Sequence, residues 1–260
     1  MSESRRLEGA GLSGRGISEQ AGVVTRPAGR WTGSVHHLLN WLRSNGYDLV
    51  PRPVGHTDTE DRLEYLAGRD QGWPFLDEIQ SDEGAAACGR FVRTLTDTLA
   101  RYPCPPDALW QDAEGAPGEG ERLQHGDLGP WNLLWAPQGT EIRGVLDWDQ
   151  AEPGDPGYDV GFLAWFTVPA MDDDKARARG FGTAPDRPAR LRAFARGAGR
   201  TPEELTALIE SAQLEFIRRV VDRGGDGPEG SIWTRLHEGG FHDSASADLD
   251  YLRTHLPRRA

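Results

Sequence analysis

His125-Gly126-Asp127-Leu128-Gly129-Pro130-Trp131-Asn132-Leu133-Leu134-Trp135, followed by Gly144-Val145-Leu146-Asp147-Trp148-Asp149, is the stretch from which the rest of the chain can be read. An acid stands two residues after a histidine, an amide five residues after that acid, and a second acid at the end of the next apolar run. Leu133 to Trp135 reads as a short strand, Ala136-Pro137-Gln138-Gly139 as a turn, and Ile142 to Leu146 as the returning strand of a hairpin. Asn132 at the entrance of the first strand and Asp147 at the exit of the second then lie at the same end. Two oxygen ligands meet there, which suits magnesium: it is held by one or two carboxylates together with phosphate and water oxygens.

These residue types are the parts needed for phosphoryl transfer. One Asp accepts a hydroxyl proton, while an Asn from the same loop and a further Asp hold the metal ions that bridge nucleotide phosphates. Asp127, Asn132 and Asp147 fill those roles in that order. Two competing readings are weaker. Asp and Asn are common in ordinary turns because they bond the local backbone, but that does not account for the whole constellation. A metallophosphatase would want a second acid where Pro130 stands and a Gly-Asn-His further on, and neither is present.

The stretch, with Leu146-Asp147-Trp148-Asp149 and Gly154-Asp155-Pro156-Gly157-Tyr158-Asp159, resembles the aminoglycoside phosphotransferase and choline kinase-like superfamily. The resemblance is firm over about residues 121 to 165 and looser on the flanks. It implies an α+β, bilobal protein-kinase-like fold with a reduced N-terminal β lobe and a mainly helical C-terminal lobe. It also implies a Mg2+- and ATP-dependent kinase acting on a small-molecule hydroxyl, with Asp127 as base and Asn132 and Asp147 as metal ligands. Asp159 matches a family aspartate that braces the catalytic loop.

Composition narrows the field. The chain has 260 residues and a net charge of −12, which disfavours nucleic acid as a partner and suits a cationic or neutral substrate. Of its 29 Lys and Arg residues only Lys175 is lysine, and it follows Asp174, so a P-loop is excluded. Cys88 and Cys104 form neither a metal pattern nor a disulfide framework, and a reduced cytoplasmic setting fits them. The N-terminus has no apolar stretch after its charges, so no signal peptide is visible. The longest apolar run, Val160 to Ala170, is too short to span a bilayer.

Residues 1–67 are expected to form the reduced nucleotide-binding lobe and residues 68–260 the catalytic and substrate-binding lobe. Gly9-Ala10-Gly11-Leu12-Ser13-Gly14 has the spacing of a phosphate-covering loop, but no strand precedes it, and a flexible terminus is the preferred reading. Val23 to Pro27 reads as a strand. In the kinase fold it would carry the phosphate-holding lysine; Arg26 is the nearest cation here, and arginine can bind phosphate bidentately. A helix from Ser34 as N-cap to Asn45 takes the place of the one whose glutamate pairs with that lysine. It contains no glutamate. His36 and His37 read as surface or packing residues, so both members of the ion pair are expected to be missing. By resemblance, backbone groups near Glu64 and Leu66 contact adenine at the hinge.

Further along, Ser81 to Tyr102 holds a long helix and Tyr158 to Val168 a buried one. Thr201-Pro202-Glu203-Glu204 is a helix start with a capping box. Glu210, Glu215 and Asp222 lie off its apolar stripe and are expected on a solvated face, although a cationic substrate could use them. Ala245 to Leu256 closes the chain as a helix. The expected function is a small-molecule kinase; the alternative is a pseudokinase or ligand-binding module that kept the fold without turnover, favoured by the missing lysine and glutamate.

Overall fold

The computed structural model describes residues 5–6, 16–182, 184–225 and 231–257. The glycine-rich segment at residues 9–14 lies outside them. Strands β1 (Arg5–Arg6), β2 (Ser18–Gln20), β3 (Val23–Pro27), β4 (Pro53–His56) and β5 (Glu60–Glu64) form one antiparallel sheet in the order β1-β2-β3-β5-β4. Helix α1 (Thr32–Ser44) joins β3 to β4 and buries Val35, Leu38, Leu39 and Leu42 on one face. It begins two residues before the expected cap. Ser34 lies inside it and accepts a bond from the Leu109 N–H instead, at 2.8 Å.

The remainder is mainly helical, and the molecule is α+β and bilobal, as expected. The helix α2 (Asp77–Gln80) leads into α3 (Asp82–Leu99), whose start is capped by Ser81 Oγ accepting from the Gly84 N–H. Next come β6 (Arg122–Gln124), the hairpin β7 (Leu133–Trp135) and β8 (Ile142–Val145), and β9 (Glu152–Gly154), which pairs back onto β6. The helices α4 (Tyr158–Thr167), α5 (Asp173–Ala178), α6 (Arg187–Ala198), α7 (Pro202–Gly224), α8 (Ile232–Glu238) and α9 (Phe241–His255) complete the chain. The capping box at Thr201 and Glu204 is formed in full. None of the described helices is long and apolar enough to cross a membrane.

Helix α4 is the pillar of the core. All ten of its residues are buried, so its sequence shows no polar face. It lies so close to α7 that a Cβ on Gly161 would stand 2.0 Å from the Leu208 carbonyl oxygen; only glycine permits that approach. Its C-terminal end is held by Arg190 of α6, whose guanidinium donates to the carbonyls of Thr167, Ile79 and Gln80. Since α4 carries Asp159 at its first turn, this rigid support is transmitted to the loop before β7.

Candidate active site

The loop leading from β6 to β7 is pinned from beneath. Asp159 is buried and accepts from the His125 N–H at 2.7 Å and the Gly126 N–H at 3.1 Å. Gly126 has φ +83°, and a Cβ there would fall 2.0 Å from the Gln150 carbonyl oxygen, so the turn demands glycine. His125 donates from Nε2 to the Leu146 carbonyl at 2.8 Å and packs on Trp148 at 4.6 Å. Burial pushes its pKa down, against the pull of Asp159 and the Leu146 bond. A neutral, fully enclosed imidazole in that setting shapes the loop and has no path to shuttle a proton.

Beyond this turn the chain makes a 3-10 turn at Pro130–Asn132 and enters β7. Asn132 Nδ2 donates to the Asp127 carbonyl at 2.7 Å and to Asp127 Oδ2 at 2.9 Å. That fixes the amide with its Oδ1 directed away from Asp127. Trp131 Nε1 lies 3.3 and 3.2 Å from the two Asp127 carboxyl oxygens, a contact the sequence did not announce. The hairpin register pairs Leu133 with Val145, and the Leu146 N–H donates to the Asn132 carbonyl at 2.8 Å. Asp147 follows at once, in the left-handed region at φ +56°, which turns its side chain out of the strand. Asp127, Asn132 and Asp147 are thus gathered at one end of the hairpin.

Arg26 reaches the same place from β3. Its Nη1 lies 3.2 Å from Asp147 Oδ1, its Nη2 2.7 Å from Asp149 Oδ1, and its Nε 2.9 Å from Asp61 Oδ2. Asp61 also accepts from His36 Nε2 at 2.6 Å. Sequence reasoning missed Asp61 altogether and read His36 as mere packing. Helix α1 does lack a glutamate, but the carboxylate partner of the β3 cation stands on β5, directly opposite Arg26 in the register. A signal was available: Asp61 shares the inward face of β5 with buried Leu63, a position where a charge requires a partner. Asp149 is not aligned with Asp147 by strand alternation, because β8 ends at Val145 and a 3-10 turn intervenes.

At the hinge, the Glu64 N–H is taken by the Arg52 carbonyl at 2.8 Å, which leaves its carbonyl as the group able to meet an adenine edge. The peptide of Leu66 makes no backbone hydrogen bond among the described residues. The Leu66 side chain lies over the hairpin, 3.1 Å from where a Cβ on Gly144 would be.

Three carboxylates facing one guanidinium leave surplus negative charge at this hairpin end, where Asn132 adds an amide oxygen. That all-oxygen set fits a hard divalent cation sharing its shell with phosphate. Among the described residues no group of three or more His, Cys, Asp or Glu side chains is arranged to hold a metal unaided. Of the acids of α7, Asp222 is exposed, as expected of a solvated face, while Glu210 and Glu215 are half-buried, and all three are engaged by arginines. Glu210 pairs with Arg253, Glu215 with Arg218 and Arg219, and Asp222 with Arg218, each within 3.1 Å.

Burial pushes the Asp127 carboxyl up to about 7, the Asp147 charge adds to the rise, and the Trp131 and Asn132 bonds oppose it. The fold therefore favours the neutral form. This group's contribution to stability is full below its unfolded value of 3.8 and is lost as pH rises through about 7. An Asp127→Asn variant has no such loss. In chelator it is expected to melt above the wild type at pH 8 and by a smaller margin at pH 5, the margins differing by about 1 to 2 kcal/mol, or ~3 to 6 °C. Thermal unfolding at the two pH values checks this; an equal margin at both would show that Asp127 is not raised.

The chain is similar to known proteins in a sequence pattern and in fold. The pattern described as the phosphotransferase enzyme family matches residues 106–194. The trifolitoxin immunity protein of Rhizobium leguminosarum bv. trifolii is 28% identical over 196 residues, 75% of this chain and 74% of that protein. Among solved structures, ADP-bound aminoglycoside phosphotransferase APH(2'')-Ib superposes with a TM-score of 0.61 at 14% identity, covering 96% of this chain and 92% of that one. A ternary complex of APH(2'')-IIa with streptomycin and ATP gives 0.59 at 16% identity over 87% of each chain. At such identities the structural matches speak for the fold.

Proposed function

We propose that this chain, which resembles the aminoglycoside phosphotransferase and choline kinase-like superfamily in both motif and fold, moves the terminal phosphate of ATP to a hydroxyl of a small molecule. The observation that carries the reading is the meeting of Asp127, Asn132 and Asp147 at one hairpin end, with Arg26 reaching in from the sheet. On this reading the N-terminal lobe, to residue 67, binds nucleotide, and residues 68–260 hold the catalytic loop and the acceptor.

Asp127 accepts the acceptor's hydroxyl proton as that oxygen attacks the terminal phosphorus; the bond to the bridging oxygen breaks and ADP leaves. With no metal bound, burial and the Asp147 charge raise this carboxyl toward the range in which a base works best. Trp131 and Asn132 keep the carboxylate oriented, and that fixed orientation is the larger part of what a kinase site supplies. Asn132 Oδ1 and the Asp147 carboxylate would hold magnesium, which when bound supplies positive charge against the phosphate oxygens. Arg26 contributes a second, permanent positive charge beside them. The Glu64 carbonyl and the Leu66 peptide are the groups offered to adenine.

The same site speaks against a binding module without turnover. Binding alone gives no reason to gather Asp127, Asn132 and Asp147 at one hairpin end. For the acceptor, α7 offers no unpaired carboxylate among Glu210, Glu215 and Asp222, so a cationic group would have to be met elsewhere in the cleft. The free thiols of Cys88 and Cys104 suit the cytoplasm, where ATP is also found.

The test has two parts. Mg-ATP at roughly a hundred times its Kd should raise the melting temperature by ~5 to 10 °C, and ATP in chelator by much less. Purified protein, screened against hydroxylated metabolites and antibiotics, should then release ADP in the presence of its acceptor. A flat thermal response to Mg-ATP would sink the proposal.

A further inference from the structure

In the protein-kinase fold a lysine on the sheet is held by a glutamate on the neighbouring helix, and neither residue is present here. The structure contains a differently built connection between the same two elements. It runs from His36 on α1, through Asp61 on β5, to Arg26 on β3, and from there to Asp147 and Asp149 below the hairpin.

Each link has a definite geometry. Asp61 is buried and uses one oxygen for each neighbour, Oδ1 for His36 and Oδ2 for Arg26. Burial pushes its pKa up, but the His36 bond and the Arg26 charge outweigh this and hold the carboxyl below its ordinary value. Asp61 is therefore ionised in the working pH range, and a buried carboxylate with both oxygens bonded has no freedom to move. Arg26 is bound to it by Nε, the nitrogen nearest its stem, so the guanidinium plane is set while the forked end points toward Asp147 and Asp149. A guanidinium has five N–H donors. Three are used in these bonds, and one on each Nη has no protein partner among the described residues. Those two are the donors left for a phosphate, and a lysine ammonium in the same place would not present them as a fixed fork. His36 also packs edge-on against His56 of β4 at 4.9 Å, so α1 is tied to the sheet by this ring contact as well as through Asp61.

We propose that Asp61 and His36 are positioning residues for nucleotide phosphate, acting through Arg26: together they take over, from a strand and a helix, the work of the absent helix glutamate. This rests on the nucleotide-binding reading given above. It goes further in stating that the cation is held by Asp61 and that α1 communicates with the site through His36.

The experiment is a double-mutant cycle read by affinity for Mg-ATP and Mg-ADP, with melting temperatures recorded for every variant. Asp61→Ala should raise the Kd for both nucleotides at least tenfold, and His36→Ala by several-fold. In an Arg26→Ala background, Asp61→Ala should add less than twofold, because residues acting through one another are not additive. Placing a carboxylate on the helix, as His36→Glu with Asp61→Ala, should recover much of the lost affinity. If Asp61→Ala does not fold, Asp61→Asn takes its place in the cycle, since its amide retains one bond. A merely structural role would lower the melting temperature while leaving Kd unchanged, and that result overturns the inference. So does an equal loss with and without Arg26. If the wild type itself binds no Mg-ATP, the kinase reading falls and this inference falls with it; if it binds and the cycle is additive, only this inference falls.

Discussion

Asp127→Ala is expected to lower the rate of acceptor-dependent ADP release by roughly 10³-fold or more, the upper part of the range for loss of a general base. It should change Mg-ATP affinity by no more than a few-fold. The separation follows from the bonding of Asn132. Its amide donates both to the Asp127 side chain and to the Asp127 main-chain carbonyl, and only the first bond is lost on truncation. The 2.7 Å bond to the carbonyl remains, so Oδ1 keeps its direction and the metal ligand stays in place. Arg26, which holds Asp147 and Asp149, bonds none of the deleted atoms. Steady-state ADP release beside a calorimetric nucleotide titration gives both quantities. A variant that retains turnover within tenfold of the wild type would remove Asp127 from the chemistry.

The second large effect should come from a residue that touches no substrate. Asp159→Ala leaves the buried N–H groups of His125 and Gly126 without their acceptor. Each unsatisfied buried donor costs about 1 to 3 kcal/mol, so a total of ~3 to 4 kcal/mol and a fall in melting temperature of about 10 °C are expected. Turnover should fall with it, because the turn that aims Asp127 has lost its support from α4. Asp159→Asn, with one acceptor oxygen and an amide that opposes the second N–H, should lie between. Urea unfolding of the three proteins provides the ranking. If Asp159→Ala proved as stable as the wild type, the turn would have to be held by its own backbone, and the supporting role of α4 would be gone.

The parts of the site that could be read from the sequence are those determined over short distances. The hairpin is one of them: an apolar triplet, a Pro-Gly turn and a returning apolar run bring Asn132 and Asp147 to a common end whatever the rest of the chain does. The cap of α3 and the capping box of α7 are equally local, since the bonds span three residues. Where a local rule competed with a distant contact, the distant contact won. Ser34 was a good cap by composition, yet its hydroxyl bonds a peptide 75 residues away and the helix begins earlier. Helix α6, rich in arginine and small residues, gave little periodic signal because two of its arginines, Arg187 and Arg190, are buried and donate to carbonyls.

The chain's own residues place an acid, an amide and a second acid around the hairpin, in an order that short-range backbone geometry must bring together. Arg26 was the nearest cation in the sequence, but that it faces them, and what holds it, was decided only in three dimensions. Arg26 and Asp61 are 35 residues apart and meet because β3 and β5 lie side by side, while Arg26 and Asp147 are separated by 121 residues and meet across two parts of the fold. No periodicity in a sequence encodes such pairs. They arise because a buried charge must find an opposite one, and only the packed sheet, helix and hairpin determine which one is within reach.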